Sequence, residues 1–108
     1  MSTTLEKVRR LEQYIAGEES AAVDPVLEMT VEKLLTREIS RMQDLKVRLA
    51  EQLHKFEQQY GLQSADFYQQ YERGQLGDFT DFVEWSATVE MLANTEDRLR
   101  LLQNTASS

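Results

Sequence analysis

Between Pro25 and Gly61 the chain carries no proline or glycine, and across that window Val31, Leu35, Ile39, Met42, Leu45, Leu49, Leu53, Phe56 and Tyr60 recur in steps of three and four. An α-helix brings such positions onto one face, because its side chains repeat about every 3.6 residues. Asp24 and Pro25 supply the start signal. The carboxylate can accept a hydrogen bond from an orphan amide, proline at the first helical position forfeits no bond, and Glu28 follows near the positive helix end. A helix over 25–60 is roughly 54 Å long at about 1.5 Å per residue, more than a compact domain of this size needs. Part of its stripe, widened by Leu34 and Val47, is therefore expected to project beyond the intramolecular core. A homodimer is the economical way to cover it.

Before this window, Thr3-x-x-Glu6 has capping-box spacing. Leu5, Val8, Leu11 and Ile15 then give a short amphipathic helix ending near Gly17, either a docking helix or a free recognition arm. Residues 18–23, EESAAV, have no periodic apolar face and read as a linker. The expected division is residues 1–23, helix and linker, and residues 24–108, a helical domain.

After it, Gly61 is placed to close the long helix, with Leu62 folding back as in a Schellman ending. Ser64 is expected to cap a short helix bearing Phe67, Tyr68 and Tyr71, which Gly74 ends. Gln75-Leu76-Gly77 forms a tight connection, and Asp78 is expected to cap a last helix with Asp81 in its first turn. Phe82, Trp85, Val89, Leu92, Leu99 and Leu102 form the stripe of that helix, which Glu96 interrupts. Residues 105–108 are expected to fray. The predicted fold is all-α: a long antiparallel helical hairpin with a short corner helix and an N-terminal amphipathic helix, completed as a bundle by dimerisation.

A chain of 108 residues suits one domain, and the absence of cysteine removes disulfides, thiolate chemistry and cysteine-ligated zinc. The opening MSTTLEKVRRLEQ lacks a signal-peptide core, and no run approaches the roughly 18 to 20 apolar residues of a membrane span. A soluble, cytoplasmic protein is expected. The net charge of −7 repels nucleic-acid phosphates and anionic membranes and attracts a basic protein.

Three constellations carry chemistry. His54-x-x-Glu57 puts an imidazole and a carboxylate on adjacent helical turns, and Asp78, Asp81 and Glu84 can add oxygens after the chain reverses. A carboxylate-rich metal site, structural or catalytic, is thus the alternative reading. It stands against the solvated helix face, since di-metal bundles use Glu-x-x-His from two helices. Asp81 and Glu84 beside Phe82 and Trp85 could in principle serve acid–base chemistry, yet no histidine, cysteine or phosphate loop accompanies them. No enzyme activity and no cofactor is expected. The aromatic, acidic set Tyr68, Tyr71, Asp81, Glu84 and Trp85 has the composition of a protein interface, with burial of the same rings in the helix corner as the competing reading. Its acids disfavour nucleic-acid stacking.

The residues Phe56-Glu57, Tyr60-Gly61, Ser64, Phe67-Tyr68, Gly74-Gln75-Leu76-Gly77-Asp78, Asp81-Phe82 and Glu84-Trp85 resemble a pattern in small uncharacterised prokaryotic helical proteins of toxin–antitoxin-type operons. The match is centred on residues 56–85, and with its flanks covers about the last two-thirds of the chain. The resemblance implies an antitoxin-like operon partner rather than an enzyme. Antitoxins often carry a DNA-binding half, whereas this sequence shows neither a basic patch nor a helix-turn-helix.

Overall fold

A computed structural model describes residues 3–17 and 24–104, and among them there are four helices and no strand. These are α1 (Thr4–Gly17), α2 (Pro25–Tyr60), α3 (Ser64–Glu72) and α4 (Thr80–Gln103). The predicted linker at 18–23 and frayed end at 105–108 lie outside the described residues. No described helix is long and apolar enough to cross a membrane. The chain divides into two compact units, Met1–Leu35 and Thr36–Ser108, so the division falls inside α2.

In the first unit both helix starts are capped. The Thr3 amide donates to Glu6 Oε2 at 3.3 Å while the Glu6 amide donates to Thr3 Oγ1 at 3.1 Å, the reciprocal bonds of a capping box. The Val26 amide donates to Asp24 Oδ1 at 2.8 Å. Ile15 and Leu27 are half-buried and line a shallow apolar depression with Val31 and Leu35. No residue of α1 is buried, and none in α2 before Leu49.

The second unit holds the core. Leu53, Phe56, Phe67 and Trp85 form its centre, and Tyr60, Leu62, Tyr68, Tyr71, Leu76, Phe82, Val89 and Leu92 pack around them. Phe56 and Tyr60 of α2 stack on Trp85 of α4. Further along, Lys46 Nζ lies 3.8 Å from Glu96 Oε2. Beyond that, Glu38, Arg41 and Met42 share an open cleft with Arg98, Leu101 and Leu102.

The turns follow from glycine. Gly61 has φ +62° and donates its amide to Glu57 O at 2.8 Å. That single bond is the αL form of C-cap, in place of the predicted Schellman pair, and Leu62 still folds onto the core. The Schellman pair occurs one turn later in the chain: Gly74, with φ +73°, donates to Tyr71 O at 3.0 Å, and Gln75 donates to Gln70 O at 3.0 Å.

Two predicted caps are corrected. Gln63, with extended backbone, occupies the N-cap of α3 and Ser64 is its first helical residue, whose orphan amide donates to Glu57 Oε2 of α2 at 2.9 Å. Phe79, not Asp78, is the N-cap of α4, and no side chain caps that end.

Two substitutions test this account. Trp85→Ala should cost about 3–5 kcal/mol, the usual range for emptying a buried aromatic site. Gly74→Ala should cost about 1–2 kcal/mol, the conformational penalty of a left-handed alanine, since nothing lies within 4 Å of its added Cβ. Urea unfolding followed by far-ultraviolet circular dichroism measures both. A Trp85→Ala loss no larger than that of Gly74→Ala would contradict the central place given to the indole.

Candidate interaction site

The aromatic corner is assembled by three helices. Phe67 of α3 stacks on Trp85 of α4 with ring centroids 3.8 Å apart and planes 3° from parallel. Phe56 of α2 is 5.4 Å from the same indole, and Tyr60 is 5.7 Å away. Burying an indole leaves its N–H in need of an acceptor. Ser64 Oγ supplies it at 2.9 Å. No buried side-chain polar atom among the described residues lacks a partner.

The predicted interface set divides on this geometry. Trp85 has 0% of its surface exposed and therefore offers none to a partner; its size and flatness are used to fill the core. Tyr71 is half-buried, its ring 5.6 Å from that of Phe67. Tyr68 is half-buried and donates its hydroxyl to Glu90 Oε2 at 3.2 Å. Asp81 is half-buried and accepts the Tyr60 hydroxyl in a short hydrogen bond, with Gln59 Nε2 reaching the same oxygen at 3.4 Å. The Glu84 side chain is exposed.

Two hydroxyls are perturbed. Hydrogen bonding to Asp81, then burial and the negative charge of Asp81, push the Tyr60 pKa from 10.0 up to about 12. Tyr68 lies between two carboxylates, and hydrogen bonding to Glu72 leads the causes that push it up to about 12, ahead of burial and of Glu90. The resolved bond at 3.2 Å goes to Glu90; the two carboxylates act in the same direction.

The metal alternative finds few donors. His54 is exposed, with Nδ1 4.0 Å from Glu57 Oε1, and the other Glu57 oxygen is engaged by the Ser64 amide. Among the described residues no three histidine, aspartate or glutamate side chains gather as a metal site would require, so Asp78, Asp81 and Glu84 do not join this pair.

Sequence reasoning missed the roles of Ser64 as indole acceptor and Glu57 as its anchor. It also missed Thr88 and Thr95, which are buried in α4 and turn their hydroxyls onto the carbonyls of Glu84 and Met91 at 2.8 Å. Polar residues on an apolar stripe mask that stripe, and only the bond to the preceding turn makes their burial tolerable.

A tyrosine pKa raised by folding means that the native state holds the proton more tightly. The resulting stability is fully present below about pH 10 and is lost as pH rises toward 12. Ultraviolet titration of tyrosinate should show late ionisation, and Asp81→Asn should move one tyrosine back toward the ordinary range. An unchanged curve would show that Asp81 does not hold the Tyr60 proton. No protein-family profile, curated protein or solved structure matches this chain.

Proposed function

We propose that this chain is a non-enzymatic helical interaction module that acts in the cytoplasm as a homodimer and binds a basic protein, in the manner of an antitoxin. One observation carries the module reading: among the described residues from 3 to 48 none is buried. Yet Leu5, Val8 and Leu11 of α1 are 58%, 51% and 46% exposed, and Leu34 and Leu35 of α2 are 53% and 44% exposed. Apolar residues repeated at helical spacing and left about half exposed are the mark of a surface used in association. Full burial of such a side chain is worth about 1.5–3 kcal/mol, and with about half of each still exposed several must be covered together to offset the cost of association.

In this reading, residues 24–108 form the hairpin, a second copy completes the bundle along α2, and residues 1–23 supply the N-terminal amphipathic helix and linker. The net charge of −7 favours a basic partner through faster encounter and rejection of acidic competitors. The antitoxin-like role rests on the pattern spanning residues 56–85. Tyr68, Tyr71, Asp81 and Glu84 keep some exposed surface at the corner and remain the proposed contacts there.

Sedimentation equilibrium at micromolar concentration should return about twice the chain mass of 12.6 kDa. Leu34→Glu with Leu35→Glu should yield a monomer whose core melts as before, because both side chains are exposed. A native chain that sediments as a monomer would remove the dimer. Co-expression with the product of the adjacent gene should give a co-purifying complex, and recovery of the chain alone would count against the operon-partner role.

A further inference from the structure

α4 is apolar on two opposite faces. Its inner face carries Phe82, Trp85, Val89, Leu92 and Leu99. At about 100° per residue, Val83, Ala87 and Met91 fall on the far side of the helix from these, continuing a line begun by Phe79 at the N-cap. All four are exposed. The spacing i, i+4, i+8 and i+12 makes one continuous outer stripe, so the helix carries apolar surface on the side that its own core leaves uncovered.

The edges of this stripe say what covers it. Residues 74–97 contain six acidic residues, Asp78, Asp81, Glu84, Glu90, Glu96 and Asp97, and no lysine or arginine. On the helix, Glu84 flanks the stripe on the Met91 side and Glu90 on the Val83 side. Glu90 is fixed there by the Tyr68 hydroxyl at 3.2 Å. Arg98 and Arg100 lie beyond the last residue of the stripe, so a second copy seated on these same four residues would bring acidic edges against acidic edges, and like charges facing one another across an interface cost several kcal/mol.

We infer that the outer face of α4 docks an amphipathic helix from a partner protein, its apolar side seated on Phe79, Val83, Ala87 and Met91 and its basic flanking residues paired with Glu84 and Glu90. Ala87 in the middle leaves room for the incoming helix to approach closely, while Phe79 and Met91 provide the larger contacts toward either end. This rests on the interaction-module reading and gives it a location and a partner chemistry. It also assigns Tyr68 a positioning role, holding Glu90 at the edge of the seat, and makes Glu84 a direct contact.

The test uses the full chain and two fluorescent synthetic helical peptides with the same leucine stripe, one flanked by lysine and arginine and the other by glutamate. Anisotropy titration should show binding of the basic peptide, weakened by salt, and none of the acidic one. Val83→Gln with Met91→Gln should weaken binding at least about tenfold with an unchanged melting temperature, since both side chains are exposed. Glu84→Lys should weaken the basic peptide and admit the acidic one. Equal affinity in the Val83→Gln, Met91→Gln variant overturns the inference. If binding is instead lost in the Leu34→Glu, Leu35→Glu variant, the module reading stands and this face is wrong. Failure of the wild type to bind the basic peptide also overturns the inference, while co-purification with the adjacent gene product judges the module reading separately. Conversion of a wild-type dimer to a monomer by Val83→Gln with Met91→Gln would make the occupant a second copy and overturn it as well.

Discussion

The Trp85 indole N–H must have an acceptor, and the way it is met ties three helices together. The indole donates to Ser64 Oγ at 2.9 Å, and the Ser64 amide donates to Glu57 Oε2 at 2.9 Å. Glu57 lies in α2, Ser64 opens α3 and Trp85 lies in α4. One serine thus satisfies the polar end of the largest buried side chain while its own amide, an orphan at a helix start, is satisfied by a carboxylate from the preceding helix. The stacked rings of Phe56 and Phe67 follow from this placement, because an indole held by its N–H has its faces fixed for packing.

Stabilisation is consequently concentrated at one end of the second unit. The aromatic rings contact one another within the corner, where Leu53, Phe56, Phe67 and Trp85 cluster, while Leu49 and Leu99 are buried outside that cluster. Away from it, Thr88 and Thr95 occupy buried positions with hydroxyls turned back onto their own helix, and Lys46 meets Glu96 across α2 and α4. A half-exposed ion pair of that kind contributes little. Farther along, Met42 and Leu102 are only half-buried. Local opening free energy should rank the same way, highest at the corner and lowest where apolar contact thins.

Exposed apolar surface and negative charge occur together in this chain, and the pairing constrains how it can associate. Apolar contact is indifferent to the identity of the partner, whereas charge selects. The stripe of α2 is bordered by mixed charges, including Lys33, Arg37, Glu38 and Arg41, and is therefore compatible with a second copy of itself. The charged residues beside the outer stripe of α4, from Gly74 to Asp97, are all acidic, with Arg98 and Arg100 beyond it, and they disfavour a second copy on the same four residues. Because the charges beside them differ in this way, the proposed self-association is assigned to α2 and the proposed partner contact to α4.

Helix positions and turns were legible in the sequence because they are set by neighbours three or four residues away. The stripe from Val31 to Tyr60, the capping box at Thr3 and Glu6, Asp24 before Pro25, and the positive-φ glycines at 61 and 74 all act locally. The candidate site was less legible, since burial and pairing depend on residues about six turns apart in sequence yet adjacent in space. Ser64 looks like a cap until Trp85, 21 residues on, is seen to need its oxygen. Trp85 looks like an interface anchor until Phe67 is found lying flat against it. The sequence by itself determined that the chain is helical, where it turns and that it is acidic; the tertiary structure decided which rings are core and which side of α4 is left uncovered, because only the packing of α2 and α3 against one face of that helix defines the other.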